Sequence, residues 1–393
     1  MPRRPLRVVF LIRSLNYGGS ERQLLSLTKE LLKHGVCVTV ATFYKGGKLE
    51  SAFESSGVSV ESLEKRSRWD IFGFSLRLIR MMKRIQPAIL HGYLPTANIL
   101  TVLLKLFCPS SKIIWGVRAS DMKLDRYGLV DQVQSWIESK LSSFTDAVIV
   151  NSYAGLQFAV RNGFPQDKMT VIPNGIDIDR FCPNPVLRRR VRDAWGLSDC
   201  HQWIGIVGRL DPMKGHDTFI RAAVILAERR ADVKYFCVGD GPQTFKQELI
   251  GLSEELGLGP RLSWSSAVDD VEAIYNALDL VTSCSSYGEG FSNVIGESMA
   301  CGKFCVVTDV GDAKQIVGET GYVVPSENPG ALASAWEIAL SASHDEKMKR
   351  CLMARERIRE HFSVQRLVEQ TIRILENLGE GEYSGTNARY RVS

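Results

Sequence analysis

The feature that most constrains this chain is an alternation that runs through nearly all of its length. Short apolar runs end in a glycine-bearing or polar turn, and a stretch of helical periodicity follows each one. The runs at 7–12, 112–117, 147–150, 203–207, 233–238, 280–283 and 304–307 are apolar almost throughout, not at every second residue. That is the signature of strands buried on both faces of a parallel sheet. With amphipathic helices predicted over 21–34, 71–85, 96–107 and 363–378, the fold class is α/β with helices layered on parallel sheets. The alternation breaks once, at Val171-Ile-Pro-Asn-Gly-Ile-Asp-Ile-Asp-Arg-Phe-Cys-Pro183, a run of turn formers read as a hinge. Two domains are therefore expected, 1–183 and 184–362, and the polar, glycine-rich stretch 379–393 reads as a disordered tail.

At 393 residues the chain is long enough for two hydrophobic cores. Its most apolar stretch, 97–108, is interrupted by Lys105 and falls short of the ~20 residues a bilayer span needs. The basic start followed by five apolar residues, Val8 to Ile12, is too short for a secretory signal and reads as a first strand. Nine cysteines, an odd number with no CxxC pair, read as reduced core residues of a cytoplasmic protein. The net charge of +5 is unevenly spread: residues 1–183 carry 25 Lys+Arg against 15 Asp+Glu, the remainder 24 against 29. The first half is thus +10 and the second −5, which points to an anionic partner for the first half. The predicted helix 71–85, with Arg77, Arg80, Lys83 and Arg84, is the candidate for an anionic membrane surface. No nucleic-acid partner is expected.

Candidate ligand contacts gather at the C-terminal ends of the predicted strands, where open α/β sheets bind ligands. In the first half these are Gly18-Gly19, His91, Arg118 and Asn151. Gly18-Gly19 lacks the GxGxxG spacing, and no acidic residue ends the second strand, so a nicotinamide site is not expected. In the second half, Gly208-Arg209 and Lys214 flank a turn before a helix, where a forked guanidinium and a point charge suit a diphosphate. Gly239 ends another strand, and Val268 lies in a segment able to meet a flat base through its backbone. The run Ser285 to Gly302 then combines a strand end, a loop with Gly288, Glu289 and Gly290, and a helix start at Phe291, Ser292 and Asn293, with Glu297 one turn on. Free amides at that helix start favour phosphate, and the two carboxylates suit sugar and ribose hydroxyls. Asp177 and Asp179 mimic a DxD metal motif but sit in the hinge, where such residues cap turns; no metal site is expected.

Taken together, Gly18-Gly19, Val171-Ile-Pro-Asn-Gly-Ile-Asp177, Gly208-Arg-Leu with Lys214-Gly215, Val238-Gly-Asp-Gly-Pro242, and Glu289 with Glu297 resemble the retaining glycosyltransferases of family four. Their order holds from about residue 7 to 378. The resemblance implies the GT-B fold, two Rossmann-like domains facing across a cleft, with the helix 363–378 returning to the first domain. It implies a nucleotide-diphosphate sugar held by the second domain and a sugar or lipid-linked acceptor by the first, without cofactor or metal. Arg209 and Lys214 would neutralise the diphosphate, and Glu297 would bind ribose. Glu289 and the amides of Gly290, Phe291 and Ser292 would hold the transferred sugar and the distal phosphate. Arg118 stands where many relatives carry a histidine. The segment Trp115-Gly-Val-Arg-Ala-Ser-Asp121 is similar to a subgroup assembling bacterial surface polysaccharides, so a hexosyltransferase of EC class 2.4 in surface glycan assembly is implied, cytoplasmic or peripheral at the membrane's inner face. Two alternatives stay open at this point: a sugar-nucleotide epimerase, and a nucleotide-sugar binding protein without activity.

Overall fold

The structure is a computed structural model, and it describes residues 5–67, 69–118 and 129–379, the side chains of 129–131 excepted. The predicted tail from 380 onward and residues 119–121 of the surface-polysaccharide resemblance lie outside the described residues.

Two separate parallel sheets account for the alternation. The first is built from β1 (Arg7–Ile12), β2 (Cys37–Thr42), β3 (Ser59–Ser62), β4 (Ile89–Tyr93), β5 (Lys112–Val117), β6 (Ala147–Val150) and β7 (Met169–Val171). The second holds β8 (Gln202–Val207), β9 (Val233–Val238), β10 (Leu262–Ser265), β11 (Leu280–Ser283), β12 (Phe304–Thr308) and β13 (Tyr322–Val324). Their strand orders are β3-β2-β1-β4-β5-β6-β7 and β10-β9-β8-β11-β12-β13. Each order reverses once, between β1 and β4 and between β8 and β11, and ligands of such sheets bind outside the strand ends at that reversal. The central strands are buried almost end to end, as their apolar runs require.

Some elements were not legible in the sequence. Ser59–Ser62 is a polar edge strand without an apolar run, and β7 and β13 are three residues each. The helix Ile71–Ile85 matches its predicted bounds, whereas the helix expected to reach residue 107 ends at Leu104. The last helix, Val364–Gly379, packs Val364, Leu367, Val368 and Leu375 into the core that contains Leu24, Leu27 and Leu31 of the first helix, Gly19–Lys33. The chain thus crosses between the sheets twice, and the crossings lie side by side: Ile176 N–H donates to Phe362 O (2.7 Å) and Val364 N–H donates to Ile176 O (3.1 Å). Gly175 packs against Val364 so closely that a Cβ there would lie 2.8 Å from the Val364 Cα. Asp177 caps the hinge turn, accepting from the amides of Asp179 (3.2 Å) and Arg180 (3.0 Å).

One surface expectation needs correction, and another narrows to fewer residues. Cys37 and Cys200 are exposed, so not all nine thiols are core residues, although Cys108, Cys237, Cys284, Cys301 and Cys305 are. On the basic helix, Arg77 is bound to Asp70 (2.5 Å) and to Leu63 O (2.7 Å), and Arg84 pairs with Glu61. Arg80 and Lys83 are exposed and form no ion pair among the described residues. At the start of the same helix the apolar Trp69, Ile71 and Phe72 face solvent, at 75%, 63% and 85% exposure. Among the described residues no helix is long and apolar enough to cross a membrane.

Candidate active site

The second sheet supplies the more polar rim of the crevice. The loop after β8 is shaped by backbone contact with the loop after β9. Gly239 has φ +155, and a Cβ there would fall 1.8 Å from the Gly208 carbonyl oxygen, so no side chain fits. Asp211 accepts from Met213 N–H (3.0 Å) and fixes the turn Pro212–Lys214, while Ser286 N–H donates to Met213 O (2.8 Å) and ties that turn to the loop after β11. Gly215, at φ +67, lets the chain pass Cys284, whose carbonyl oxygen would lie 2.1 Å from an added Cβ. The result is to deliver Lys214 onto Glu289: Nζ to Oε2 is 2.7 Å, with Ser285 Oγ donating to the same oxygen at 3.1 Å. Burial alone would raise the Glu289 carboxyl, but the Lys214 ammonium and the Ser285 and Ser292 hydroxyls hold it below the usual carboxylate range.

The helix Asn293–Ala300 starts beside this pair, and its Ser292 cap makes no side-chain bond to the backbone. The first-turn amides therefore have no side-chain cap, an arrangement suited to an anion. Phe291 turns its ring inward against Phe362 (centroids 5.4 Å apart), leaving only its backbone to the loop. Glu297, buried, takes Tyr275 OH on Oε2 (2.9 Å) and Arg22 Nη2 on Oε1 (3.2 Å). Burial raises its carboxyl above the ordinary value, against the lowering effect of Arg22 and Tyr275. Arg209 stands at the rim, its side chain 66% exposed and paired with Asp211 (2.9 Å). Val268 is half-buried in the loop after β10, a loop anchored by Ala267 N–H donating to the Asp240 carboxylate (3.1 Å).

The first sheet's strand ends face this rim directly. A Cβ on Gly19 would lie 3.2 Å from Asn293 Nδ2, and a Cβ on Gly290 would lie 2.9 Å from Asn151 Oδ1. Arg118 donates to Asn174 Oδ1 (3.0 Å), and Asn174 Nδ2 donates to Asn293 Oδ1 (2.8 Å), so a hydrogen-bonded chain runs from β5 through the hinge to the helix start. The Arg118 guanidinium also lies 4.5 Å from the centre of the Tyr93 ring. His91 is withdrawn from the crevice: it is fully buried, 4.8 Å from the Phe10 ring, and neither ring nitrogen has a hydrogen-bond partner among the described residues. Burial and the nearby Arg118 lower it to about 3, so it stays neutral.

Gly18, Gly19, Arg118 and Asn151 thus come together with Lys214, Glu289, Gly290, Ser292, Asn293 and Glu297, while His91 does not join them. Three contributors were missed in the sequence. Arg22 hides in a helix read only for its apolar face. Asn174 lay inside a run read as a hinge and as a family motif, with no contact assigned to it. Asp312, in the loop after β12, accepts from the amides of Tyr153 (2.7 Å) and Ala154 (2.9 Å) and so caps a helix of the opposite half.

Comparison with known proteins places this geometry. Residues 17–180 match the family described as Glycosyltransferase Family 4, and residues 201–341 match Glycosyl transferases group 1. A D-inositol 3-phosphate glycosyltransferase of Mycobacterium sp. (strain KMS) is 31% identical over 210 residues, 52% of this chain and 47% of the relative. A GDP-mannose-dependent alpha-(1-6)-phosphatidylinositol monomannoside mannosyltransferase of Mycolicibacterium smegmatis is 31% identical over 47% of this chain and 50% of its own. The matched segment thus spans about half the length of these curated relatives. Among solved structures, Anabaena HepE in complex with UDP-glucose superposes with a TM-score of 0.84 at 21% identity, covering 95% of this chain and all of that one, a likeness of fold. With the two family matches falling one on each sheet, the chain belongs to glycosyltransferase family 4 and has the GT-B fold.

Proposed function

We propose that this protein transfers a sugar from a nucleoside diphosphate donor to a hydroxyl acceptor, with retention at the anomeric carbon. The observation that carries this reading is the part-buried Lys214–Glu289 pair set against the start of the helix Asn293–Ala300, which its own Ser292 does not cap. An ammonium and free amides side by side suit a departing diphosphate, whose negative charge grows as the glycosidic bond breaks. Glu289, held ionised, accepts hydrogen bonds from sugar hydroxyls, and Glu297, farther along the helix, accepts those of the ribose. Arg209 swings from Asp211 to the phosphates. In the transfer, the bond from the anomeric carbon to the phosphate oxygen breaks with its electron pair going to the diphosphate. The acceptor oxygen bonds to the same face, and its proton passes to the leaving phosphate. Lys214, Arg209 and the helix amides supply the positive potential, so the reaction proceeds without a divalent cation.

The acceptor approaches along the first sheet's rim, between Gly18-Gly19, Arg118 and Asn151. The +10 balance of that half, with exposed Arg80 and Lys83 near one end of the helix Ile71–Ile85 and exposed Trp69, Ile71 and Phe72 at its other end, supports a lipid-linked acceptor met at an anionic membrane surface, as in surface glycan assembly. Incubation with UDP- and GDP-sugars in excess chelator tests the reading. Release of the nucleoside diphosphate with a glycoside of unchanged anomeric configuration is expected. An isomerised nucleotide sugar, or activity that appears only on adding manganese or magnesium, would contradict it.

A further inference from the structure

We propose that Arg22 is a positioning residue for the donor's ribose end: reaching from the first half of the molecule, its guanidinium fixes the Glu297 carboxylate in the second. The inference rests on the ribose role given to Glu297 above, and it adds a residue that nothing in the sequence motifs singles out.

Glu297 is 4% exposed and bound at both oxygens, by Tyr275 OH from its own half and by Arg22 from the other. Each carboxylate oxygen accepts two hydrogen bonds, so one place remains on each for the two ribose hydroxyls. Arg22 therefore has no need to leave when a nucleotide enters. Its own position is over-determined. The guanidinium lies 5.6 Å from the Tyr17 ring centre, and the adjacent Gln23 is locked by two bonds to the Gly175 backbone, one donated and one accepted, both 2.9 Å. One donor is left over: the buried Arg22 Nε has no partner among the described residues.

The other charged groups near Glu297 do not replace Arg22. Arg180 is committed to Glu272 (2.8 Å) and to the Asp269 carbonyl (2.8 Å), and Glu272 opposes a second negative charge nearby. Tyr275 is buried and neutral, and Cys301, which caps the C-terminal end of the helix bearing Glu297, is a thiol pushed up by burial. Removing the guanidinium leaves a buried carboxyl that burial already raises, so it would hold its proton to higher pH and offer the ribose a poorer acceptor. Because the guanidinium comes from the opposite half, nucleotide affinity then depends on the two halves being drawn together.

Calorimetric titration with UDP and with GDP, from about pH 6 to about pH 8.5, separates the possibilities. R22M is expected to weaken whichever nucleotide the parent binds by about tenfold at the acid end and by less at the alkaline end, where Glu297 ionises without help. R22K should recover most of the loss, because an ammonium supplies the same charge. The R22Q variant carries the same test should R22M fail to fold. Parental affinity in R22M at every pH overturns the inference, and so does an equal loss at every pH with no rescue by R22K, which marks a merely structural side chain. E297Q tells the two levels apart: if it binds nucleotide as the parent does, the ribose reading of Glu297 fails, whereas a weakened E297Q beside a normal R22M removes Arg22 alone.

Discussion

Glu289 and Glu297 face one crevice from one loop and helix, yet they are held in opposite ways. Glu289 has its cation within its own half, delivered by a turn whose glycines and Asp211 leave Lys214 little choice of place. Its carboxyl is held low. Glu297 has its cation in the other half, and its carboxyl is raised. Glu138, on the helix Leu129–Leu141, completes the series: buried, with the Asn98 amide as its partner (2.7 Å) and no cation among the described residues, it is pushed up to about 7. Burial is common to all three, so the difference is set by where the compensating charge comes from. On the proposed reading, the carboxylate that must be charged whenever donor is present is paired locally, and the one whose state can follow domain approach is paired across the crevice.

The largest effect is expected where the local pair is broken. Lys214→Met should cut turnover of the nucleotide sugar by about a hundredfold or more, since it removes the positive charge that the proposed function sets against the departing diphosphate. Adding Glu289→Gln should not restore it, because the loss is of a cation for the phosphates and not the stranding of a carboxylate. Recovery in the double variant, seen in the rate of diphosphate release, would make the pair structural and collapse the contrast with Glu297.

Glu138 gives the next effect, on stability. An acid whose folded value, about 7, lies above its ordinary 4.5 loses folding free energy as pH rises from the lower figure to the higher, and the deficit is constant beyond. Glu138→Gln, which keeps the bond from Asn98, should therefore leave stability nearly unchanged near pH 4 and raise it by about 3 kcal/mol at pH 8. Urea unfolding at the two pH values reads this directly, and a difference independent of pH would remove burial without a cation as the cause.

The smallest effect lies at the surface. Arg80→Glu with Lys83→Glu should weaken binding to phosphatidylglycerol vesicles by about 1 kcal/mol per residue at low salt, leaving diphosphate release in solution untouched. Because Arg77 and Arg84 are already tied to Asp70 and Glu61, reversing those two would confound the result with loop damage. No vesicle binding by the parent at low salt would make the acceptor a soluble one.

Much of this was legible in the sequence, and the reasons are physical. Strands buried on both faces must be apolar throughout, so β1, β5, β6, β9 and β11 announced themselves, while the edge strand Ser59–Ser62 had no such obligation. Gly215 and Gly239 were visible because close backbone passage permits no other residue, and Gly208 because its backbone takes a φ of +156. The cross-crevice partners were not. Arg22 lies on a helix among ordinary surface charges, and nothing in its neighbours reveals that Glu297 stands opposite. Asp312 caps a helix that begins at Tyr153, a pairing that only the closed tertiary structure brings about. His91 erred the other way: its place at a strand end resembled a ligand contact, but its ring points into the core with Phe10 and Tyr93.

On the proposed function, a nucleoside diphosphate lies across the loop after β8 and the start of the helix Asn293–Ala300. Amide hydrogen exchange with and without saturating UDP or GDP tests it most directly, since it reports position without depending on turnover. Protection concentrated in peptides covering residues 208–216 and 285–297 is the predicted result. Protection that leaves both segments unchanged while a nucleotide is demonstrably bound would contradict the account.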